Sequence, residues 1–258
     1  KLLKESVGLV GRGGADVLVR VNNEPELFAA DVEAAIMPGL HALFVPKIEK
    51  PEDVASLEEM ISSLETERGI EAGTIKTSLH VESPLGVLNI REIAAAGTRT
   101  ESMSLGVDDY CLHLGVEPTE EASELFFPLT LLVMACKAFG ISPLGIVGTV
   151  AGFRDPAGFE RAAQRGRGLG CTGAFCIHPD QVQILNRVFT PSPAMVDHAR
   201  RVVAAFEAGL KTGRASVSLD NRMVDTPIYK QALRVLERAA AVENREREKE
   251  AALALIAN

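Results

Sequence analysis

Short apolar runs recur at nearly regular intervals through the first 180 residues of the chain, with helical stretches between them. The recurring positions are Arg20, Lys47, Glu82, Asp109, Val147 and Phe175, which lie 27, 35, 27, 38 and 28 residues apart. An average of about 31 residues is the length of one strand and one helix in a (β/α)8 barrel. A doubly wound open sheet has units of similar length, so the spacing alone leaves both architectures open.

The apolar runs are typical of buried parallel strands, since they are short and rich in β-branched residues. The predicted strands are residues 17–22, 42–48, 77–82, 102–107, 144–150 and 173–177. The stretches between them have helical apolar spacing and commonly end at glycine. Among them, helices are predicted over residues 51–69, 88–97, 120–140 and 158–170.

Polar residues at the carboxyl ends of the runs favour the barrel, because barrel enzymes build their active sites on that rim. These residues are Arg20, Asn22, Lys47, Glu49, Glu82, Asp108, Asp109 and His178. The sequence GRGGAD precedes the first predicted strand instead of following it, which argues against a dinucleotide-binding fold. The predicted fold is therefore an α/β (β/α)8 (TIM) barrel with a C-terminal helical extension.

The pattern changes at Pro191, where amphipathic helices and a charged tail replace the strand repeats. We predict a barrel domain over residues 1–190 and a helical module, or lid, over residues 191–258. The tail is interpreted as a solvated helix, with packing on a neighbouring subunit as the alternative. Because 190 residues hold about six repeat units, the first one or two barrel strands are expected to lie before Lys1.

Composition excludes several classes of protein. The formal charge is −8 and 47% of residues are hydrophobic, which argues against a nucleic-acid-binding protein and against disorder. The four cysteines form no CxxC pair and indicate thiols of a reducing compartment rather than a zinc or disulfide framework. No apolar run approaches the roughly 20 residues of a membrane span, and no signal peptide is evident. A cytoplasmic protein is expected.

Glu82 and Asp109 form the strongest candidate pair for chemistry. Each is interpreted as ending a strand and as being followed by a loop, so neighbouring strands would bring the two carboxylates together. Two carboxylates with water and substrate oxygens suit Mg²⁺. The structural alternative is that each carboxylate caps a helix or pairs with a lysine.

Four other residues could contribute. Arg20 could bind a carboxylate or thioester oxygen or stabilise an enolate, or form a structural ion pair. Lys47 could form a Schiff base or act as a nearby cation. His178 suits either an acid–base role or a strand-to-helix turn, and Asp225 by itself is interpreted as a helix N-cap. Ser83 lacks the GxSxG context of a serine hydrolase.

Eight segments, taken in order between Asp16 and Leu236, resemble the citrate lyase β-subunit-like family within the HpcH/HpaI aldolase superfamily, which includes malyl-CoA and citramalyl-CoA lyases. They are VRVN, VPKIE, HVESPLG, SLGVDDY, GF with GRGLGCTG, IHPDQV, FTPS and MVDTPIYKQA. The resemblance implies a magnesium-dependent barrel, trimeric or hexameric, that makes or breaks a carbon–carbon bond beside an acyl-CoA thioester.

The resemblance also implies roles for individual residues. Glu82 and Asp109 correspond to metal ligands, and Arg20 to the arginine that contacts substrate and enolate. Asp225 corresponds to an acid/base that a C-terminal segment delivers to a neighbouring subunit, and Lys47 to a lysine near the site. The expected activity is that of a citramalyl-, malyl- or citryl-CoA lyase. A CoA-independent 2-oxo-acid aldolase and a catalytically silent accessory subunit are the alternatives.

Overall fold

A computed structural model describes residues 2–152 and 154–257, which leaves Lys1, Phe153 of the GF motif and Asn258 outside it. The chain divides into two compact units, one ending at Val188 and the other beginning at Phe189.

The first unit contains a five-stranded parallel sheet whose strands follow their order in the chain. The strands are β1 (Leu18–Arg20), β2 (Ala42–Val45), β3 (Lys76–Val81), β4 (Thr100–Leu105) and β5 (Ser142–Leu144). Their buried apolar side chains, such as Leu43 and Leu79, explain why these runs form strands. The sheet confirms the predicted α/β class.

Two of the six predicted strands differ from the structure. The fifth strand is β5 and ends at Leu144, where the prediction began, because the glycine-containing segment GIVGTV leaves the sheet and Gly148 adopts a φ of 152°. The predicted strand over residues 173–177 is reduced to one parallel bridge between Leu144 and Gly173. Beyond that bridge, no strand in the described part of the chain pairs with this segment.

Helices alternate with the strands, and several begin at proline, whose missing N–H costs nothing in the first turn. They are α1 (Leu2–Val10), α2 (Pro25–Ala35), α3 (Pro51–Glu67), α4 (Pro84–Leu88), α5 (Ile90–Ala96), α6 (Val107–Leu114), α7 (Phe126–Phe139), α8 (Pro156–Leu169) and α9 (Pro179–Phe189), with 3₁₀ turns at Gly11–Gly13 and Ser123–Leu125. The stretch predicted to be a loop after Glu82 is instead the N-cap and start of α4, and the one after Asp109 is the remainder of α6 with its C-cap. Ser83 caps α4 by accepting a hydrogen bond from the Gly86 N–H.

The second unit is built from two helices and a hairpin. Helix α10 (Pro193–Lys211) is followed by β6 (Val217–Leu219), β7 (Arg222–Val224) and the long α11 (Thr226–Ala257). Its core contains Ala199, Val202, Phe206, Val224 and Ala232. Across the described residues, no helix is both long enough and apolar enough to cross a membrane.

Candidate active site

A cavity of about 330 Å³ lies at the carboxyl ends of the parallel strands. Three of the predicted site residues, Arg20, Glu82 and Asp109, line it together. Asp108 of the predicted polar rim also lines the cavity, whereas Asn22, Lys47, Glu49 and His178 do not. Apolar side chains, among them Phe44 and Phe175, form much of the rest of the wall.

Glu82 follows β3 directly and is buried, with 3% of its surface exposed. Its Oε2 atom has no hydrogen-bond partner among the described residues. Burial raises the pKa of Glu82 and the charge of Asp109 raises it further, while the charges of Arg20, Lys47 and His113 oppose the rise. A buried carboxylate oxygen without a partner is costly unless a cation or a donor is supplied from elsewhere.

Asp109 reaches the cavity from the first turn of α6, not from the end of a strand. Strand β4 stops at Leu105, and Gly106 precedes the helix. The neighbouring carboxylate, Asp108, also lines the cavity, but it accepts a hydrogen bond from Thr149 Oγ1 at 2.9 Å. Asp108 is thus tied to a protein donor, and Glu82 and Asp109 remain the pair with the electrostatic conflict.

Arg20 ends β1 and places its guanidinium 5.8 Å from the centre of the Phe44 ring. The positive charge of Arg20 contributes to the lowered pKa of His80 and opposes the rise in the pKa of Glu82. Among the described residues that line the cavity, Arg20 is the one with a permanent positive charge.

Lys47 does not line the cavity, although its charge acts on Glu82. Its backbone has a φ of 54°, a costly conformation for a residue with a side chain. Asn23 Nδ2 donates to the carbonyl oxygens of Pro46 and Lys47 at 2.9 and 3.1 Å. The Lys47 ammonium lies 3.5 Å from Glu24 Oε1. The turn after β2 is therefore held in a strained shape beside the site.

Asp225 belongs to the second unit, where it caps the beginning of α11. Its Oδ1 atom accepts a hydrogen bond from the Ile228 N–H at 3.3 Å, and its carbonyl accepts one from the Tyr229 N–H. This is the helix-cap interpretation that the local sequence favoured.

His178 lies in the turn before α9. Its backbone N–H donates to Gln181 Oε1, and its Nδ1 atom accepts a hydrogen bond from the Asp180 N–H. These contacts fit the turn interpretation of His178, which does not line the cavity.

The sequence prediction missed His80, which lines the cavity two residues before Glu82. Burial and the charge of Arg20 lower the pKa of His80 to about 4, so the ring is neutral near pH 7. Strand alternation could have found this residue, because side chains at positions i and i+2 point to the same face.

Magnesium is the cation that the resemblance implies, and the donor set suits it. Among the described residues there is no group of three or more His, Cys, Asp or Glu side chains that could hold a metal. Two carboxylates are nevertheless enough for Mg²⁺, which usually keeps several waters and takes the remaining oxygens from substrate. The unpartnered Oε2 of Glu82 is the observation that supports this fit.

Comparison with known proteins establishes the family. The sequence profile of the HpcH/HpaI aldolase/citrate lyase family matches residues 6–179, so the chain belongs to that family of lyases and aldolases. It is 36% identical over 225 residues to the citrate lyase subunit beta of Escherichia coli K12, covering 87% of this chain and 74% of the relative. It is 29% identical over 259 residues to an L-malyl-CoA/beta-methylmalyl-CoA lyase of Cereibacter sphaeroides, covering 92% and 80%. The predicted family and lyase class are confirmed.

Two solved structures of similar fold are informative. A citrate lyase from Burkholderia xenovorans has a TM-score of 0.75 at 22% identity, covering 90% of this chain and 74% of its own, and supports the fold alone. The protein CitE from Mycobacterium tuberculosis, in complex with magnesium, acetoacetate and coenzyme A, has a TM-score of 0.67 at 25% identity, covering 86% and 78%.

Proposed function

We propose that this chain is a Mg²⁺-dependent carbon–carbon lyase that cleaves or forms a 3-hydroxyacyl-CoA such as citramalyl-, malyl- or citryl-CoA. The observation that carries the proposal is the convergence of Arg20, Glu82 and Asp109 on one cavity at the carboxyl ends of the strands. A cation and two carboxylates in a partly apolar cavity suit a reaction in which negative charge develops on an enolate.

The proposal includes an architecture. The sequential order of the five parallel strands supports a (β/α)8 barrel, since a doubly wound sheet reverses its strand order. We assign the catalytic barrel to residues 1–190 and a lid-like module to residues 191–258. A homotrimer or hexamer is the proposed assembly, on the resemblance stated above, and a cytoplasmic location is proposed from the composition.

Glu82 and Asp109 are the proposed ligands of Mg²⁺, which when bound would act as a Lewis acid on a substrate oxygen. The chain's own residues do the remaining work. As the carbon–carbon bond breaks, the substrate hydroxyl loses its proton to solvent and becomes the carbonyl of the released oxo-acid. Arg20 binds the substrate and stabilises the thioester enolate that is left. Asp225, acting in a neighbouring subunit, protonates the enolate carbon; in condensation it removes that proton. Lys47 is the proposed second substrate-binding cation beside the cavity.

A substrate panel tests the reaction directly. Citramalyl-, malyl- and citryl-CoA, and separately a set of free hydroxy-oxo-acids, are incubated with the chain and Mg²⁺, and released pyruvate, glyoxylate or oxaloacetate is measured. We expect release from at least one thioester. Release from free acids with none from any thioester would contradict the proposal and support the CoA-independent aldolase.

Asp225→Asn tests the proposed proton donor, with Asp197→Asn, an exposed aspartate of α10, as the matched control. Loss of a general acid–base is expected to lower turnover by about 10²- to 10⁴-fold, whereas the control keeps wild-type turnover. If the wild type is as inactive as Asp225→Asn on the whole panel while both still bind CoA or metal, the accessory-subunit alternative is supported.

A further inference from the structure

His80 occupies a position directly behind Glu82. The two residues are separated by one residue at the end of β3, and both line the cavity. The His80 Nε2 atom lies 3.5 Å from Glu82 Oε1. On the other side of the ring, Nδ1 forms a hydrogen bond with Ser104 Oγ, and His80 and Ser104 are register partners on β3 and β4.

The contacts of the His80 ring favour one of its two neutral tautomers. A neutral imidazole has one donor and one acceptor, and a carboxylate oxygen can only accept. With Glu82 ionised, the tautomer that satisfies both contacts carries its proton on Nε2, facing Glu82, and the Ser104 hydroxyl donates to Nδ1. Ser104 Oγ, the His80 ring and Glu82 Oε1 then form one series of polar contacts, in which Nε2 faces Oε1 at 3.5 Å.

Packing holds the ring in place. The ring centres of Phe44 and Phe175 lie 5.2 and 6.1 Å from that of His80. On the β4 side, a Cβ atom at Gly106 would lie 2.8 Å from His80 Nε2 and 2.6 Å from Glu82 Cγ. Only a glycine fits there, because the side chains of His80 and Glu82 occupy the space that a Cβ atom would need.

We propose that His80, oriented by Ser104, is a positioning residue that engages Glu82 Oε1 and thereby leaves Oε2 for a divalent cation. Oε1 of Glu82 faces His80, whereas Oε2 has no partner among the described residues, so the two oxygens have different environments. The inference rests on the proposed role of Glu82 as a metal ligand. Groups that orient metal ligands commonly contribute 10- to 100-fold in metal affinity.

Cation affinity measured without substrate tests the proposal. Mn²⁺ is titrated into the full chain, and the free ion is followed by electron paramagnetic resonance. His80→Phe keeps a ring against Phe44 and Phe175 but lacks the donor, and we expect affinity to fall by about 10- to 100-fold. His80→Gln restores an N–H donor and is expected to recover part of the loss.

Two serines on β4 provide a matched comparison. Ser104→Ala removes the partner of Nδ1 and is expected to weaken Mn²⁺ binding several-fold. Ser102→Ala removes a hydrogen bond to Ser78 between the same two strands, and is expected to leave Mn²⁺ affinity unchanged. Circular dichroism and thermal unfolding verify that each variant is folded.

The outcomes separate this inference from the proposed function. If Glu82→Gln abolishes Mn²⁺ binding while His80→Phe and Ser104→Ala bind as the wild type does, His80 has no positioning role and the metal site stands. If Glu82→Gln binds Mn²⁺ normally, the proposed metal site itself is wrong. A His80→Gln variant as weak as His80→Phe would contradict the donor role. Should His80→Phe not fold, Ser104→Ala against Ser102→Ala decides the question.

Discussion

Two buried glutamates at opposite ends of β3 have opposite electrostatic environments. Glu65, on α3 near the start of the strand, is 0% exposed, and Glu82, just after its end, is 3% exposed. Both oxygens of Glu65 are paired with the Arg99 guanidinium, at 3.0 and 2.7 Å. They also accept hydrogen bonds from the Ile75 and Gly73 N–H groups. Glu82 has an oxygen with no partner among the described residues.

The pKa directions follow from these contacts. Burial alone would raise the pKa of Glu65, but Arg99 and the two backbone donors lower it below the ordinary carboxyl value. Burial raises the pKa of Glu82, and Asp109 adds to the rise. Equal burial thus gives a satisfied structural ion pair at one end of the strand and an unsatisfied acid at the other. The satisfied pair lies near the amino-terminal end of β3, and the unsatisfied acid lies just after its carboxyl-terminal end, where the proposed barrel would carry its chemistry.

The largest expected effect comes from Glu82→Gln. Loss of a proposed metal ligand should cost more than the 10- to 100-fold typical of an orienting group, so we expect Mg²⁺-dependent turnover to fall by more than about 100-fold. Stability should be equal or higher, because the change removes a buried charge whose Oε2 atom has no partner among the described residues. Turnover on the active thioester and urea unfolding measure the two quantities.

Asp109→Asn should lower Mg²⁺-dependent turnover as Glu82→Gln does, whereas its effect on stability should be small because Asp109 is exposed. Glu65→Gln should have the opposite effect: we expect the variant to keep its turnover per folded molecule but to be less stable than the wild type. Full turnover in both Glu82→Gln and Asp109→Asn would refute the metal site.

The contrast also shows what the sequence could predict. The repeat of short apolar runs predicted the parallel sheet, and the polar residue after each run predicted where Arg20 and Glu82 would meet. The start of α6 was missed because SLGVDDY continues an apolar run through Val107, so Asp109 was assigned to a strand end. The pairing of Glu65 with Arg99 was not predictable, since 34 residues separate them and a charged residue on a helix normally indicates a solvated face.

Arg99→Met is expected to have the next largest effect, and on stability alone. Arg99 also donates to the Ile75 carbonyl and to Ser62 Oγ, so its removal leaves Glu65 buried and without its cation. Breaking a buried pair by removing one partner costs about 3–5 kcal/mol. Urea unfolding measures the loss, while turnover per folded molecule stays at the wild-type value.

Arg91→Met is the matched control for Arg99→Met. Arg91 is 77% exposed and contacts Glu92 on its own helix, so its loss should change stability by less than about 0.5 kcal/mol. A loss in Arg99→Met no larger than in this control would show that the buried pair contributes nothing.

The smallest expected effect is the response of the same pair to acid. Because the pKa of Glu65 is lower in the folded chain than its usual 4.5, its stabilisation is complete above that pH. It is lost as pH falls below 4.5 towards the folded value, when Glu65 takes up a proton. One proton changes the free energy of unfolding by at most about 1.4 kcal/mol per pH unit. The stability difference between wild type and Glu65→Gln should therefore shrink on acidification.

The control is Glu59→Gln, a substitution at an exposed residue of α3, which should show no such trend. A constant difference for Glu65→Gln would mean that the pair does not lower the pKa of Glu65.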